Sequence, residues 1–318
     1  MPSLSQRRIQ NQLLTTLMQG YSNTSFIAPF LFPELKTKNE LVEYVKFEKE
    51  FNIAQAAAFM SVGMGAQPSF IDFETSTATF SLKERAVGTK IYKREFAEAN
   101  KILKLKENKS RLVKNTMDLF IEKMVADMAQ ATANYTNFNT LDNSGVGKYK
   151  WSHASAAPLD NIQTAVDAIR TAIGNNPDTL TMGYTSAVQL SKIPEIQMLV
   201  WGTLGSGINV TPMQAVAKVA EVFGIKYFAI GEGQYATTPT SAFSDLWTDT
   251  CNIAYVGKDT LGQSTTQNFG CLFRKDKYPE IQEEIIPLSD QTLALMIRDL
   301  FEPQFINETA GYLINDTV

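Results

Sequence analysis

LDNIQTAVDAIRTAIGNNPDTLTMGYTSAVQLSKIPEI, residues 159–196, changes its hydrophobic period twice. Ile162, Val166, Ile169 and Ile173 recur three or four apart, which is the buried stripe of an amphipathic helix. Asp160 is the expected N-cap and Gly174 the expected stop. Pro177 and Asp178 then make a turn, and TLTMG (179–183) reads as a short buried strand. Thr185 or Ser186 caps a further helix through Leu190, and Pro194 starts another. Residues 211–224, TPMQAVAKVAEVFG, repeat the scheme. Thr211 caps, Pro212 takes the first helical position, Met213, Val216, Ala220 and Phe223 face inward, and Gly224 ends the helix. Strands IKYFAIG (225–231) and NIAYVG (252–257) follow. This alternation describes a compact α/β unit of about 120 residues, close to the commonest domain size.

An open α/β sheet binds ligands beyond the carboxyl ends of its strands. At the first such end, Met182-Gly183-Tyr184 offers no evident acid, base or nucleophile. At the second, Glu232 stands alone between Gly231 and Gly233. GTLGSG (202–207) has no Lys-Ser/Thr pair and follows a helical segment, so it fails as a phosphate loop. No G-x-S-x-G elbow is present. Glu283 and Glu284 are adjacent and would point to opposite faces of a strand. The chain has one histidine, His153, in a small polar loop, and two cysteines, Cys251 and Cys271, which read as small buried residues. That composition argues against a zinc cluster and a hydrolytic triad. We therefore read no catalytic, cofactor-binding or metal-binding residues, and take residues 159–196 as scaffold. The 318 residues are 44% hydrophobic with a net charge of −4, which supports a real core and argues against a wholesale nucleic-acid coat. No stretch reaches the ~20 apolar residues of a membrane helix. Asn11, Gln12, Thr15 and Thr16 interrupt any signal-like run at the start, so an intracellular, reducing setting is expected.

The flanking regions carry apolar residues that they cannot bury themselves. In residues 21–40, Pro29 and Pro33 forbid a regular helix, yet Tyr21, Phe26, Phe30 and Phe32 must lie on something: their own subunit or a neighbour. ELVEYVKFEK (40–49) and SFIDFETSTATFSL (69–82) read as strands. Between them NIAQAAAFMSVGMGAQP (52–68) is rich in Ala, Met and Gly, and no charge occurs across residues 52–71. We read a long hairpin with an apolar contact tip in preference to an ordinary core helix at 54–60. A helix is expected over 96–135, with Ile102, Leu105, Leu112, Phe120, Met124 and Met128 as its stripe and a break near residues 106–110. Its cations, Lys101, Lys104, Lys106, Lys109, Arg111 and Lys114, read as a solvated or salt-bridged face, with phosphate contact as the alternative. GCLFRKD (270–276), LALMIRDLF (293–301) and GYLIND (311–316) make a β-rich tail. Its strands are expected to pair with those near the start, leaving the α/β unit inserted between.

The ordered set resembles the tailed-bacteriophage major capsid protein family, whose Hong Kong-type fold is shared with encapsulins. FIAPFLFPEL (26–35) looks like that family's arm-to-hairpin segment, residues 159–196 like its helix–turn–strand–helix run, and GYLIND like its closing strand. The resemblance implies an α+β fold with an N-terminal arm (1–39), an extended hairpin or E-loop (40–90), a P-domain with a long spine helix and β-sheet (91–150 and 270–318) and an α/β A-domain (151–269). It implies self-assembly into hexamers and pentamers that close an icosahedral head around double-stranded DNA, held by weak non-specific contact. Implied partners are a portal and separate scaffolding or decoration proteins. Assembly is expected in the host cytoplasm and the final location in the virion. Phe26, Phe30 and Phe32 on the arm and Phe59, Met60 and Met64 on the tip are the expected subunit contacts. The short arm suggests a separate scaffold or none. Some members cross-link through a hairpin lysine. Here no lysine lies between Lys49 and Lys83, so a non-covalent shell is expected. The alternatives are an encapsulin-like compartment and a small-molecule α/β enzyme using the 155–260 unit.

Overall fold

The computed structural model describes residues 8–10, 26–45, 77–92, 102–202, 207–238, 240–257, 268–286 and 292–318. In chain order the elements begin with β1 (Arg8–Gln10), α1 (Ala28–Leu31), β2 (Glu34–Thr37), β3 (Leu41–Val45), β4 (Thr77–Ser81) and β5 (Lys83–Ile91). Then come the long helix α2 (Ile102–Ala129), β6 (Asn137–Thr140), α3 (Pro158–Ile173), β7 (Thr179–Gly183), α4 (Tyr184–Ser191), α5 (Pro194–Trp201) and α6 (Pro212–Val222). The chain closes with β8 (Tyr227–Gly231), β9 (Gln234–Tyr235), β10 (Ser244–Asp245), β11 (Cys251–Ala254), β12 (Gly270–Lys275), β13 (Glu280–Ile286), β14 (Thr292–Phe305) and β15 (Gly311–Asn315).

A five-stranded sheet in the order β6-β15-β11-β7-β8 holds the α/β unit. Every residue of β7 and β11 is buried, as befits strands covered on both faces. The stripe of α3 is as expected: Ile162, Val166, Ile169 and Ile173 are all buried, and Gly174 stops the helix at φ 76°. Its start differs. Ala157 is the N-cap without a side-chain bond, Pro158 enters the first turn, and Asp160 lies inside that turn, where it complements the helix dipole. The next helix likewise starts from Gly183 without a side-chain cap, so neither Thr185 nor Ser186 serves. Thr211 does cap α6, in a reciprocal box with Gln214. Met213 lies 53% exposed, and Ala215 and Val219 join Val216 and Ala220 on the buried face.

A second sheet gathers strands from both ends of the sequence. β14 is its spine, pairing with β5, β13 and β12, while β2 pairs in parallel with β12 and β1 with β13. α2 packs on β14 and β5. One strand expected here sits in the other sheet: β15 pairs with β11, and β6, a strand the sequence did not reveal, pairs with β15. Residues 137–140 and 311–315 therefore fold with the 151–269 unit. The sequence Tyr312-Leu313-Ile314 has no polar alternation and is buried throughout, which suits the centre of a covered sheet.

α2 has 28 residues, about 42 Å, and runs unbroken through residues 106–110. Side chains satisfy its last carbonyls. Tyr135 Oη donates to Ala129 O (2.7 Å), Asn134 Nδ2 to Met128 O (2.8 Å) and Gln130 Nε2 to Ala126 O (3.1 Å). The buried stripe is Val113, Met117, Ile121, Val125, Ala126 and Ala129. The expected stripe was out of phase, because Leu112 is 60% and Phe120 47% exposed. Both sides of this helix are apolar, so spacing alone does not identify the side that its own sheet covers.

Candidate assembly surfaces

The arm is seated in its own body by three devices. Phe32, 1% exposed, enters a ring cluster with Phe269 (centroids 5.8 Å apart) and Phe305 (5.2 Å), beside Tyr135. Gly270 makes room: a Cβ there would meet the Phe32 ring. Ile27, Ala28 and Leu31 are also buried. Thus Phe32 belongs to the core of its own subunit, where no neighbour can reach its ring. Phe26 and Phe30 are half-buried and keep surface to offer. Phe59, Met60 and Met64 lie outside the described residues.

The second device is Glu122, which spacing did not single out. Its carboxylate accepts from Ile27 N (2.9 Å), Ala28 N (2.8 Å) and the Trp247 indole Nε1 (2.6 Å). Burial pushes this carboxyl above its ordinary range, and the three donors oppose that rise. An acidic residue among Met117, Ile121, Val125 and Ala126 was the available signal. The third device is an ion cluster. Arg274 meets Glu34 of the arm strand and lies 3.1 Å from Asp299, which is almost wholly buried. Burial pushes the Asp299 carboxyl up to about 6; the nearby Arg274 and Lys114 offset this only in part.

The hairpin base is formed as expected. β3 and β4 pair from Leu41↔Ser81 to Val45↔Thr77. A small core of Val42, Leu82, Cys271, Phe273 and Leu300 ties this base to the second sheet, with the Phe80 ring tilted against Phe273 at 4.9 Å between centroids. The proposed tip, residues 52–68, lies outside the described residues.

The cations of α2 are largely engaged within the chain. Lys106 pairs with Glu283 (3.0 Å), Arg111 with Glu107 (2.7 Å) and Lys114 with Asp118. These pairs fit the salt-bridged reading of this face. His153 stacks on Tyr149 in an exposed loop, 4.5 Å apart, and its Nδ1 accepts from Ser155 N. Cys251 and Cys271 are free, buried and in different sheets, and burial pushes the Cys271 thiol up to about 12. Among the described residues no three His, Cys, Asp or Glu side chains gather as a metal site, and no helix is long and apolar enough to cross a membrane. Glu232 borders an open groove of about 340 Å³ with Phe26, Asn115, Thr116, Leu119 and Gln234. Among the described residues Glu232 is the one carboxylate lining that groove.

Two sheets, a long helix laid on one of them and a hairpin leaving its edge form a recognisable architecture. A phage-related protein from Bordetella bronchiseptica RB50 has the same arrangement over 98% of both chains, with a TM-score of 0.76 at 20% identity. A chain of Microbacterium phage Oxtober96 matches 93% of this chain and 92% of its own, with a TM-score of 0.54 at 10% identity. The fold is that of tailed-phage capsid proteins. In sequence the chain is 28% identical to the Major capsid protein of Burkholderia phage BcepMu, over 99% of each. No protein-family model matches it.

Proposed function

We propose that this chain is the shell-forming subunit of a phage head, joining as hexamers and pentamers into an icosahedral shell around double-stranded DNA. Its role is structural, not enzymatic, as for the capsid proteins it resembles. The observation that carries the reading is the full-length likeness to the BcepMu capsid protein, matched at both ends of both chains. The surface supports it. Leu112 and Phe120 stand exposed two turns apart on the open side of α2, and such apolar surface is what an assembly contact needs. Phe26, Phe30, Phe59, Met60 and Met64 are the proposed contacts of arm and hairpin. The paired cations of α2 and the net charge of −4 suit a wall that holds DNA without adhering to it. A portal and separate scaffolding or decoration proteins complete the proposed partners, with assembly in the host cytoplasm and residence in the virion.

The test is the content of particles produced in their native setting. Nuclease-protected double-stranded DNA inside them is the expected result. Particles that hold a cargo enzyme and no DNA would move the chain to the encapsulin-like reading.

A further inference from the structure

Glu122 stands where three parts of the molecule meet. It is carried by α2 and is 1% exposed. Its Oε1 accepts from both the Ile27 amide of the arm and the Trp247 indole, while Oε2 accepts from the Ala28 amide. The arm helix has no side-chain cap of its own, so this distant carboxylate satisfies amides that would otherwise be orphaned. On the other side, Trp247 belongs to a stretch fixed against the ends of β7 and β8. A Cβ at Gly183 would collide with the Thr248 carbonyl, and one at Gly231 with the Trp247 ring. Two turns further on, just past the end of α2, Gln130 holds that same stretch by separate bonds. Its Nε2 donates to Leu246 O (2.9 Å), and its Oε1 accepts from Thr248 N (2.8 Å) and Thr248 Oγ1 (2.6 Å). None of these Gln130 bonds involves the arm.

We propose that Glu122 couples the seat of the arm to the joint between the long helix and the α/β unit. One buried charge serves donors from both, so the loss of either donor leaves the charge less well solvated and weakens the hold on the other. Such coupling is reciprocal: an arm displaced by a neighbouring subunit loosens residues 246–250, and a shifted joint loosens the arm. The inference concerns a single chain and does not depend on what that chain assembles into.

Amide hydrogen exchange on the purified unassembled chain tests it, with Glu122→Gln, Trp247→Phe and Gln130→Ala. Glu122→Gln should speed exchange about tenfold or more in peptides covering both 26–32 and 246–250, while α3 stays protected; that factor corresponds to the loss of a bond to a charged group. Trp247→Phe, which keeps a ring but removes the donor, should speed exchange across 26–32 several-fold. Gln130→Ala should loosen 246–250 and the end of α2 directly, and residues 26–32 only weakly, well short of the effect of Glu122→Gln, because the Glu122 bonds to the arm stay in place. Wild-type exchange across 26–32 in Trp247→Phe would overturn the coupling, as would release of the arm by Gln130→Ala to the same extent as by Glu122→Gln. If Glu122→Gln does not fold, the Trp247→Phe comparison decides.

Discussion

Phe32→Ala separates an arm that is part of the core from one that merely touches a neighbour. The ring is 1% exposed and packs edge-on to Phe269 and Phe305. A buried aromatic of this size removes ~150–200 Å² from water, worth about 4–5 kcal/mol at ~25 cal/mol/Å². Measured Phe→Ala changes in cores fall at about 3–5 kcal/mol, so we expect about 4 kcal/mol, or a melting point roughly 6 °C lower for a chain of this length. The assay is urea unfolding of dispersed, unassembled subunits, followed by the fluorescence of buried Trp151 and Trp247. The midpoint should fall with little change in slope. Gly270→Ala should act in the same direction, since its Cβ would lie 2.5 Å from Phe32 Cε1. If Phe32→Ala subunits unfold within about 1 kcal/mol of wild type yet fail to assemble, the ring works at a neighbour and our placement of the arm is refuted.

Asp299 should give stability a pH dependence, because its carboxyl is held at about 6 against an ordinary 3.8. The folded chain then keeps a proton that the unfolded chain releases. This contribution is complete below about pH 4 and lost as pH rises through about 6, on the order of 3 kcal/mol in all; Asp299→Asn should flatten that part of the urea-midpoint profile. Gly183→Ala should destabilise by about 3 kcal/mol or prevent folding, because its Cβ would strike the Thr248 backbone, whereas Gly145→Ala, with open space around it, should stay within about 0.5 kcal/mol by the same assay. The pair Leu112→Ser and Phe120→Ser should leave subunit unfolding within about 1 kcal/mol of wild type while particle yield falls on a sucrose gradient. Particles boiled in detergent should release 35.3 kDa monomers, and a ladder of covalent oligomers would count against the non-covalent shell.

What was legible in the sequence was what local chemistry decides. The stripe of α3, the left-handed glycine after it and the Thr211 cap follow from residues close together in the chain, and the hairpin base from two strand-like stretches flanking an uncharged insert. Phase and partner were harder. α2 is apolar on two sides, and which side meets β14 and β5 depends on strands far along the sequence. β13 went unread because Glu280, Gln282, Glu283 and Glu284 mask its apolar positions; of these Ile281 is buried, facing the core. β15 was placed in the other sheet because strand pairing is set by tertiary packing and not by composition. The Glu122 device was not legible, since it joins residues 27, 122 and 247, and a single acid on an apolar helix face does not name its partners.

Self-assembly is the central claim, and electron micrographs of the purified chain, with native mass measured alongside, test it most directly. We predict closed shells of uniform size, or pentamers and hexamers where a scaffold is lacking. A chain that stays monomeric at high concentration, even with a scaffolding protein supplied, would contradict the account.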